Sequence, residues 1–364
     1  MGIWKSPLEN LAVTMMNELF WKNKKIFITG HTGFKGSWLC LWLHQLGAKI
    51  TGYALSPTIP SLFESANVSS VLEKNIIKDI NDYTALQYAM LQAQPEIVFH
   101  LAAQSLVQTS YQKPVDTYQT NVMGTVNLLQ SVVNCESVQV VVNITSDKCY
   151  ENKEWVWGYR ETDRLGGYDP YSNSKACAEL VTNAYRDSFL NQKNIKLASC
   201  RAGNVIGGGD WAENRLVPDM MRGFLSGEEI NIRNPNAIRP WQHVLEPLSG
   251  YLLLAEKMFK NKMLTGAWNF GPEEKDVQPV SFIVDHISHF WPENKINMKN
   301  NEQFGHEAGI LKLDTSKAKN LLHWKPKLNI QQALDYTSQW YKAFQAKKNI
   351  NEFTLLQINQ YKDL

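Results

Sequence analysis

A glycine turn set between an apolar strand and an apolar helix constrains this chain more than any other feature. Lys25-Ile26-Phe27-Ile28-Thr29 is a short, continuous apolar strand, and it runs directly into Gly30-His31-Thr32-Gly33-Phe34-Lys35-Gly36. Helical spacing follows at Trp38, Leu39, Leu41, Trp42, Leu43 and Leu46, closed by Gly47. In the spacing G-x-x-G-x-x-G each glycine has its own role. The first permits the tight turn, the second lets backbone approach a pyrophosphate, and the third lets the helix pack closely. A phosphate then faces the free N–H groups and positive dipole end of the helix. Gly30, Gly33 and Gly36 therefore point to a dinucleotide cofactor.

The same alternation continues. Strands are expected at 49–54, 75–80, 96–101, 138–145 and 196–204, and helices at 83–93, 115–133 and 171–190. Continuous apolar strands separated by helices imply a parallel sheet covered on both faces, a doubly wound α/β (Rossmann-type) domain whose ligands lie beyond the carboxyl ends of the strands. The pattern loosens after about residue 205, where Gly207-Gly208-Gly209, Pro218, Pro235 and Pro240 punctuate short elements. Helical stretches remain at 248–258 and 331–341. The expected organisation is an extension over 1–21, a dinucleotide-binding domain over 22–204, and a smaller irregular α/β lobe over 205–364, with return segments to the sheet allowed.

A net charge of +2 argues against a protein that coats nucleic acid. No apolar run reaches the roughly 18 residues that span a bilayer, and a basic segment followed by a long apolar one is missing from the start. The five cysteines (40, 135, 149, 177 and 200) form no C-x-x-C pair, which favours reduced thiols, a cytoplasmic location and no metal.

Two polar clusters stand where ligands should lie. Tyr171-Ser172-Asn173-Ser174-Lys175 has Y-x-x-x-K spacing, which places Tyr171 and Lys175 on one helix face. An ammonium there favours phenolate, so Tyr171 is a candidate base. Asp169-Pro170 marks the helix start. Thr145-Ser146-Asp147-Lys148 closes the most apolar strand, and its hydroxyl, carboxyl and amine suit proton transfer. One feature of a dinucleotide site is missing: the second strand ends Tyr53-Ala54-Leu55-Ser56, without the acid that usually binds the adenosine ribose, and without an Arg cluster for a 2′-phosphate. NAD is preferred over NADP. Asp79-Ile80 ends the expected third strand, where Asp79 either meets the adenine edge or caps the next helix.

These motifs resemble the extended short-chain dehydrogenase/reductases, and within them the CDP-glucose 4,6-dehydratase branch. The resemblance runs from about Phe20 to Tyr341. It is carried by Thr29 to Gly36, His100-Leu101-Ala102-Ala103-Gln104, Thr145 to Tyr150, Tyr171 to Lys175, Gly207-Gly208-Gly209-Asp210-Trp211 and Ile238-Arg239-Pro240-Trp241-Gln242-His243-Val244. Lys148 and the segments after residue 207 point to the CDP-glucose branch, since related dTDP-glucose enzymes carry Glu at that place. The resemblance implies oxidation at C4 of the sugar, loss of the C5 proton and C6 hydroxyl, and return of hydride to C6, with no net redox change. It implies that Tyr171 takes the C4 hydroxyl proton, that Lys175 supports it and holds the nicotinamide ribose, and that Ser146 bonds the C4 oxygen. Asp147 is then the acid at C6 and Lys148 the base at C5. NAD contacts are implied for Gly30, Thr32, Gly33, Phe34, Lys35, Gly36, Asp79, Ile80, Leu101, Ala102, Ala103, Thr120, Tyr171 and Lys175. For the nucleotide-sugar substrate the candidates are Gln104, Asn204, Arg215, Arg233 and Arg239, because an Arg fork matches phosphate oxygens. Gln108 stands where the family often has Arg. A homodimer or homotetramer is implied, paired through the helices at 115–133 and 171–190.

Two other readings compete. A nucleotide-sugar epimerase on the same fold would use Tyr171 and Lys175 but would need no Asp147–Lys148 elimination pair. A non-catalytic dinucleotide sensor would not need the Y-x-x-x-K pair.

Overall fold

The computed structural model describes residues 16–232, 234–298 and 310–364. Arg233 and most of the expected N-terminal extension lie outside them. The strand-like runs between residues 25 and 202 become strands β1 (Lys25–Thr29), β2 (Lys49–Ala54), β3 (Lys74–Ile77), β4 (Ile97–His100), β5 (Val140–Ile144) and β6 (Lys196–Ala202). The later segment Gly266–Phe270 adds β7. Together they form one seven-stranded sheet in the order β7-β6-β5-β4-β1-β2-β3, parallel throughout. The doubly wound fold is therefore observed, with the order reversing between β1 and β4.

The strands read as continuous apolar runs because both faces are covered. Side chains alternate along each strand. Ile26, Ile28, Ile97, Phe99, Val140 and Val142 enter one core, while Phe27, Val98 and Val141 enter the other. The first core packs against α1 (Phe34–Gln45) and a later helix, Leu245–Lys260; the second packs against α2 (Tyr83–Ala93) and α3 (Gly124–Val133).

Helix α1 is buried on every side from Gly36 to Leu43, which requires a cover on its outer face. A helix at Ile350–Asp363, not anticipated from sequence, supplies it: Tyr361 meets Trp42 edge-on at 5.7 Å. The expected helix at 115–133 is present but contains a π turn at Gln119–Met123, following Pro114–Tyr118. The expected helix at 171–190 is α4 (Pro170–Tyr185) followed by a π turn at Arg186–Leu190. The third strand stops at Ile77, earlier than expected, so Asp79 and Ile80 lie in a turn.

Beyond the sheet, the second half contains α5 (Leu216–Ser226), the helix Leu245–Lys260 (α6), α7 (Ile330–Gln345) and short two- and three-residue ladders. No described helix is long and apolar enough to cross a membrane.

Candidate active site

The glycine turn leaves β1 at the strand-order reversal, where Thr29 lies opposite His100 of β4. Gly30 has φ +75°, and a Cβ there would stand 2.6 Å from the Ala102 backbone nitrogen; the position takes only glycine. A Cβ on Gly36 would stand 2.2 Å from the Gly30 carbonyl oxygen, so the third glycine lets the helix close onto the turn. Gly33 differs. It caps α1 with no side-chain hydrogen bond, and a Cβ there would touch only the Gly30 oxygen, at 3.3 Å. Gly33 is exposed, which leaves a cradle in front of the helix N-terminus where a dinucleotide pyrophosphate can approach. Leu101, Ala102 and Ala103 are half-buried beside the turn.

The adenosine side shows how β2 ends without an acid. The Thr32 hydroxyl donates to the Leu55 carbonyl at 2.9 Å. His31 is buried against Gly52, with Nε2 2.7 Å from Asn75 Oδ1. Asp79 does not cap α2; Asp82 does, accepting from the Ala85 amide at 3.0 Å. The Asp79 carboxylate instead accepts from the Asn81 amide at 2.9 Å, and its carbonyl accepts from the Tyr53 hydroxyl at 3.0 Å. Ile80 packs on Gly124 of α3. Thr120 lies half-buried in the π turn.

Across the reversal, the carboxyl end of β5 carries the Ser146–Asp147–Lys148 loop, and the first turn of α4 faces it. Pro170 at the first helical position and the Asp169 cap, which accepts from the Ser172 amide at 2.9 Å, set that turn. Tyr171, Ser146 and Asp147 are all buried. The Ser146 hydroxyl donates to Asp147 Oδ1 at 3.0 Å and accepts from the Lys148 amide at 3.2 Å, and its side chain acts on the Tyr171 hydroxyl. Tyr171, Ser146 and Asp147 thus form one buried polar group, with Lys148 half-buried beside it.

Burial pushes the Tyr171 hydroxyl up to about 12, opposed by the Ser146 bond and by the Arg215 guanidinium. Arg215 is therefore a cation that eases the tyrosine, one that the Y-x-x-x-K spacing alone did not suggest. Lys175 donates to the Ile144 carbonyl at 3.4 Å, and burial brings it down to about 8, opposed by Glu179. Burial raises the Asp147 carboxyl, opposed first by Lys148; its Oδ2 is buried without a partner. Lys35 is half-buried, and its charge acts among Arg215, Lys175, Asp147 and Asp210, so burial and its fellow cations bring it down to about 8. Sequence placed Lys35 with the cofactor; its charge also acts on Lys175 and Asp147.

The substrate candidates divide. Arg215 Nη1 donates to Asp210 Oδ2 at 3.1 Å and Nη2 to Ser105 Oγ at 2.9 Å, beside Tyr171. Arg239 is buried, with Nη1 donating to the Ile238 carbonyl at 2.9 Å. Pro240, the next residue, and Asp147 Oδ2 both lie close to where a Gly203 Cβ would be, at 2.6 and 3.3 Å, so the 239–241 segment walls the Ser146–Asp147–Lys148 loop. Asn204 is half-buried at the end of that wall, its carbonyl accepting from the Gln242 amide at 2.9 Å. Gln104 is turned into its own loop: its side chain bonds the Leu106 amide and carbonyl and the Thr117 hydroxyl at 2.6–3.0 Å.

Sequence reasoning missed three groups. Asn121, in the π turn, bonds the backbone of Gln104 on both sides at 2.8 and 2.9 Å and the Ser174 hydroxyl at 2.9 Å. Asp210 anchors Arg215. Glu179, four residues past Lys175, forms a buried ion pair with Arg201 at 2.7 Å. The i+4 spacing from Lys175 was the available signal for Glu179; nothing local marked Asn121.

A parallel sheet reversed at a glycine turn, with a Ser–Tyr–Lys set at the strand ends, defines an extended short-chain dehydrogenase/reductase. The family model described as GDP-mannose 4,6 dehydratase matches residues 27–337, and the chain belongs to that family. It is 52% identical over 337 residues to a CDP-glucose 4,6-dehydratase of Salmonella typhimurium, covering 91% of this chain and 94% of the relative. Among solved structures it resembles a UDP-glucose 4-epimerase of Thermotoga maritima with UDP-glucose (TM-score 0.75, 23% identity, 88% of this chain and 99% of the other). It also resembles a dTDP-glucose 4,6-dehydratase of Bacillus anthracis in complex with NAD (TM-score 0.73, 23% identity, 89% and 98%).

Proposed function

We propose that the chain is an NAD-dependent nucleotide-sugar 4,6-dehydratase that converts CDP-glucose to CDP-4-keto-6-deoxyglucose. The observation that carries the reading is the Asp147 carboxyl: buried, raised by that burial, and left with a free Oδ2 beside the tyrosine. A carboxyl whose protonated form is favoured by burial is what departure of the C6 hydroxyl needs, and what an epimerase does not. The choice of CDP-glucose rests on the Salmonella relative, and NAD on the neighbours that hold it.

Gly30 to Gly36 hold the pyrophosphate, with Lys175 at the nicotinamide ribose. NAD, when bound, supplies the hydride acceptor at C4 and the donor at C6. Tyr171 takes the C4 hydroxyl proton, with Ser146 bonding the same oxygen and Arg215 favouring the phenolate. The 4-keto group then acidifies the C5 proton, which Lys148 removes and gives back to C5 when hydride reaches C6. Asp147 delivers a proton to the leaving C6 hydroxyl, which departs as water. A proton passed from Lys148 to Asp147 beforehand leaves one neutral amine and one neutral acid, the pair that elimination requires. Arg215, Arg233 and Arg239 are assigned to the diphosphate and nucleotide.

A second copy of the chain fits against the helices at 114–133 and 170–190, where Val115, Met123, Leu180 and Phe189 are exposed, giving a homodimer or a tetramer of two dimers. Nucleotide-level substrates and free cysteines suit the cytoplasm. The test is incubation with CDP-glucose and NAD beside dTDP-, UDP- and GDP-glucose. The 4-keto-6-deoxy product, seen by its alkaline absorbance, is expected with CDP-glucose. An inverted hydroxyl with oxygen kept at C6 would refute the dehydratase reading.

A further inference from the structure

The Glu179–Arg201 pair is the most buried ionic group in the site region, with side chains 0% and 2% exposed, and none of the chemistry above uses it. A buried pair of this kind adds little stability compared with apolar residues of the same size, so its partners matter more than its energy. Glu179 Oε1 accepts from the Thr145 hydroxyl. Oε2 accepts from the Ser199 hydroxyl and from Arg201 Nη2, both at 2.7 Å. Arg201 Nη1 donates to the Tyr150 hydroxyl at 2.8 Å and to the Glu161 carbonyl at 3.1 Å. The Tyr150 hydroxyl then donates to Asn269 Oδ1 at 2.7 Å, and Asn269 Nδ2 reaches the Tyr159 and Asp314 carbonyls at 2.8 and 3.1 Å.

Thr145 and Tyr150 are the residues immediately before the Ser146–Asp147–Lys148–Cys149 loop and immediately after it. One ion pair therefore grips both ends of the loop. The same carboxylate stands one helical turn beyond Lys175, and Lys175 itself donates to the carbonyl of Ile144, the residue before Thr145. We propose that Glu179 and Arg201 are positioning residues, a clamp that holds both ends of the Ser146–Asp147–Lys148 loop in register with Tyr171 and Lys175 on α4. The clamp's far end, through Asn269 on β7, fastens the loop to a strand contributed by the second half of the chain. Glu179 also acts by charge: its carboxylate opposes the loss of the Lys175 proton that burial favours. Glu161 and Cys149 also border this network, but Glu179 is the charge that acts most strongly on Lys175.

The role rests on the dehydratase reading, so the test carries a readout that does not need turnover. Removing Glu179 leaves Arg201 unpaired in the interior and threatens folding. The primary variants are therefore Thr145→Val and Tyr150→Phe, which release one loop end each and leave the ion pair intact, with Glu179→Gln as the third. Hydrogen exchange of the full-length chain is followed over residues 145–150, beside kcat and KM for CDP-glucose with NAD. Each folded variant should exchange at the loop about tenfold faster and lose about tenfold or more in kcat, with KM within about threefold, because a small misplacement of reacting groups is felt in the chemical step. Glu179→Gln, where it folds, should also move the alkaline limb of the pH–rate profile to lower pH; the two neutral-residue variants should not. Loop exchange unchanged in Thr145→Val and Tyr150→Phe overturns the clamp, as does a kcat within twofold of the parent. If the parent itself does not turn over CDP-glucose, the dehydratase reading fails, and loop exchange still decides the clamp.

Discussion

Gly36→Ala tests the turn at the site where its geometry leaves least room. The new methyl would stand 2.2 Å from the Gly30 oxygen and 2.8 Å from the His31 Cα, both main-chain atoms. Neither can yield without opening the turn. Alanine gains about 1 kcal/mol over glycine inside a helix, and overpacking of a tight site costs about 1–3 kcal/mol, so a net loss of up to about 2 kcal/mol is expected. The melting temperature should fall by a few degrees. The larger effect should fall on the cofactor. Withdrawing α1 from the turn weakens a charge-assisted hydrogen bond to phosphate worth about 1.5–3 kcal/mol, which is about 10- to 150-fold in Kd. Gly33→Ala separates the two effects. Gly33 has φ −78°, open to any residue, and its methyl touches only one atom, at 3.3 Å; stability should change by less than about 0.5 kcal/mol, while the methyl intrudes where phosphate must approach. Titration of NAD against tryptophan fluorescence, with thermal melting in parallel, reads both. A Gly36→Ala chain that melts and binds like the parent would refute the packing argument, and a Gly33→Ala chain with unchanged affinity would refute the cradle.

Tyr171→Phe should bind NAD like the parent and lose about 10²- to 10⁴-fold in turnover, the usual worth of a placed proton acceptor; unchanged turnover would sink the mechanism. Asp147→Asn should lose a similar factor in formation of the 4-keto-6-deoxy product, measured by its alkaline absorbance. Glu246 is a structural test of the same electrostatics. Burial raises its carboxyl from 4.5 to about 7 against hydrogen bonds from the Leu328 and Lys327 amides and the Tyr361 hydroxyl. With the folded value above the unfolded one, its contribution is fully present below about pH 4.5 and is lost as pH rises through 7, a swing of about 3 kcal/mol. Glu246→Gln should therefore gain melting temperature over the parent at pH 8 and match it more closely at pH 5.

What could be read in the sequence, and what could not, follows from the range of the interactions. The glycine turn was legible because three backbone requirements fall on three glycines within a single turn. The buried strands were legible because both faces of the sheet demand apolar residues. Tyr171 and its helix start were legible because Asp169, Pro170 and Tyr171 are neighbours in the chain. Arg215 and Tyr171 are not: they are brought together from different halves of the chain, so local spacing could not show that the Arg215 charge eases Tyr171. The Ile350–Asp363 helix escaped notice for a related reason: its need is visible only once α1 is seen to be apolar on all sides. Glu179 joins the two cases. Its i+4 relation to Lys175 is local, but its meaning comes from Thr145, Arg201 and Tyr150, which lie 34, 22 and 29 residues away in the chain by their numbering. A motif scan finds the groups that do chemistry. The groups that hold them still are found by following hydrogen bonds outward, which here lead from the loop after β5 to Asn269 on β7, 119 residues beyond Tyr150.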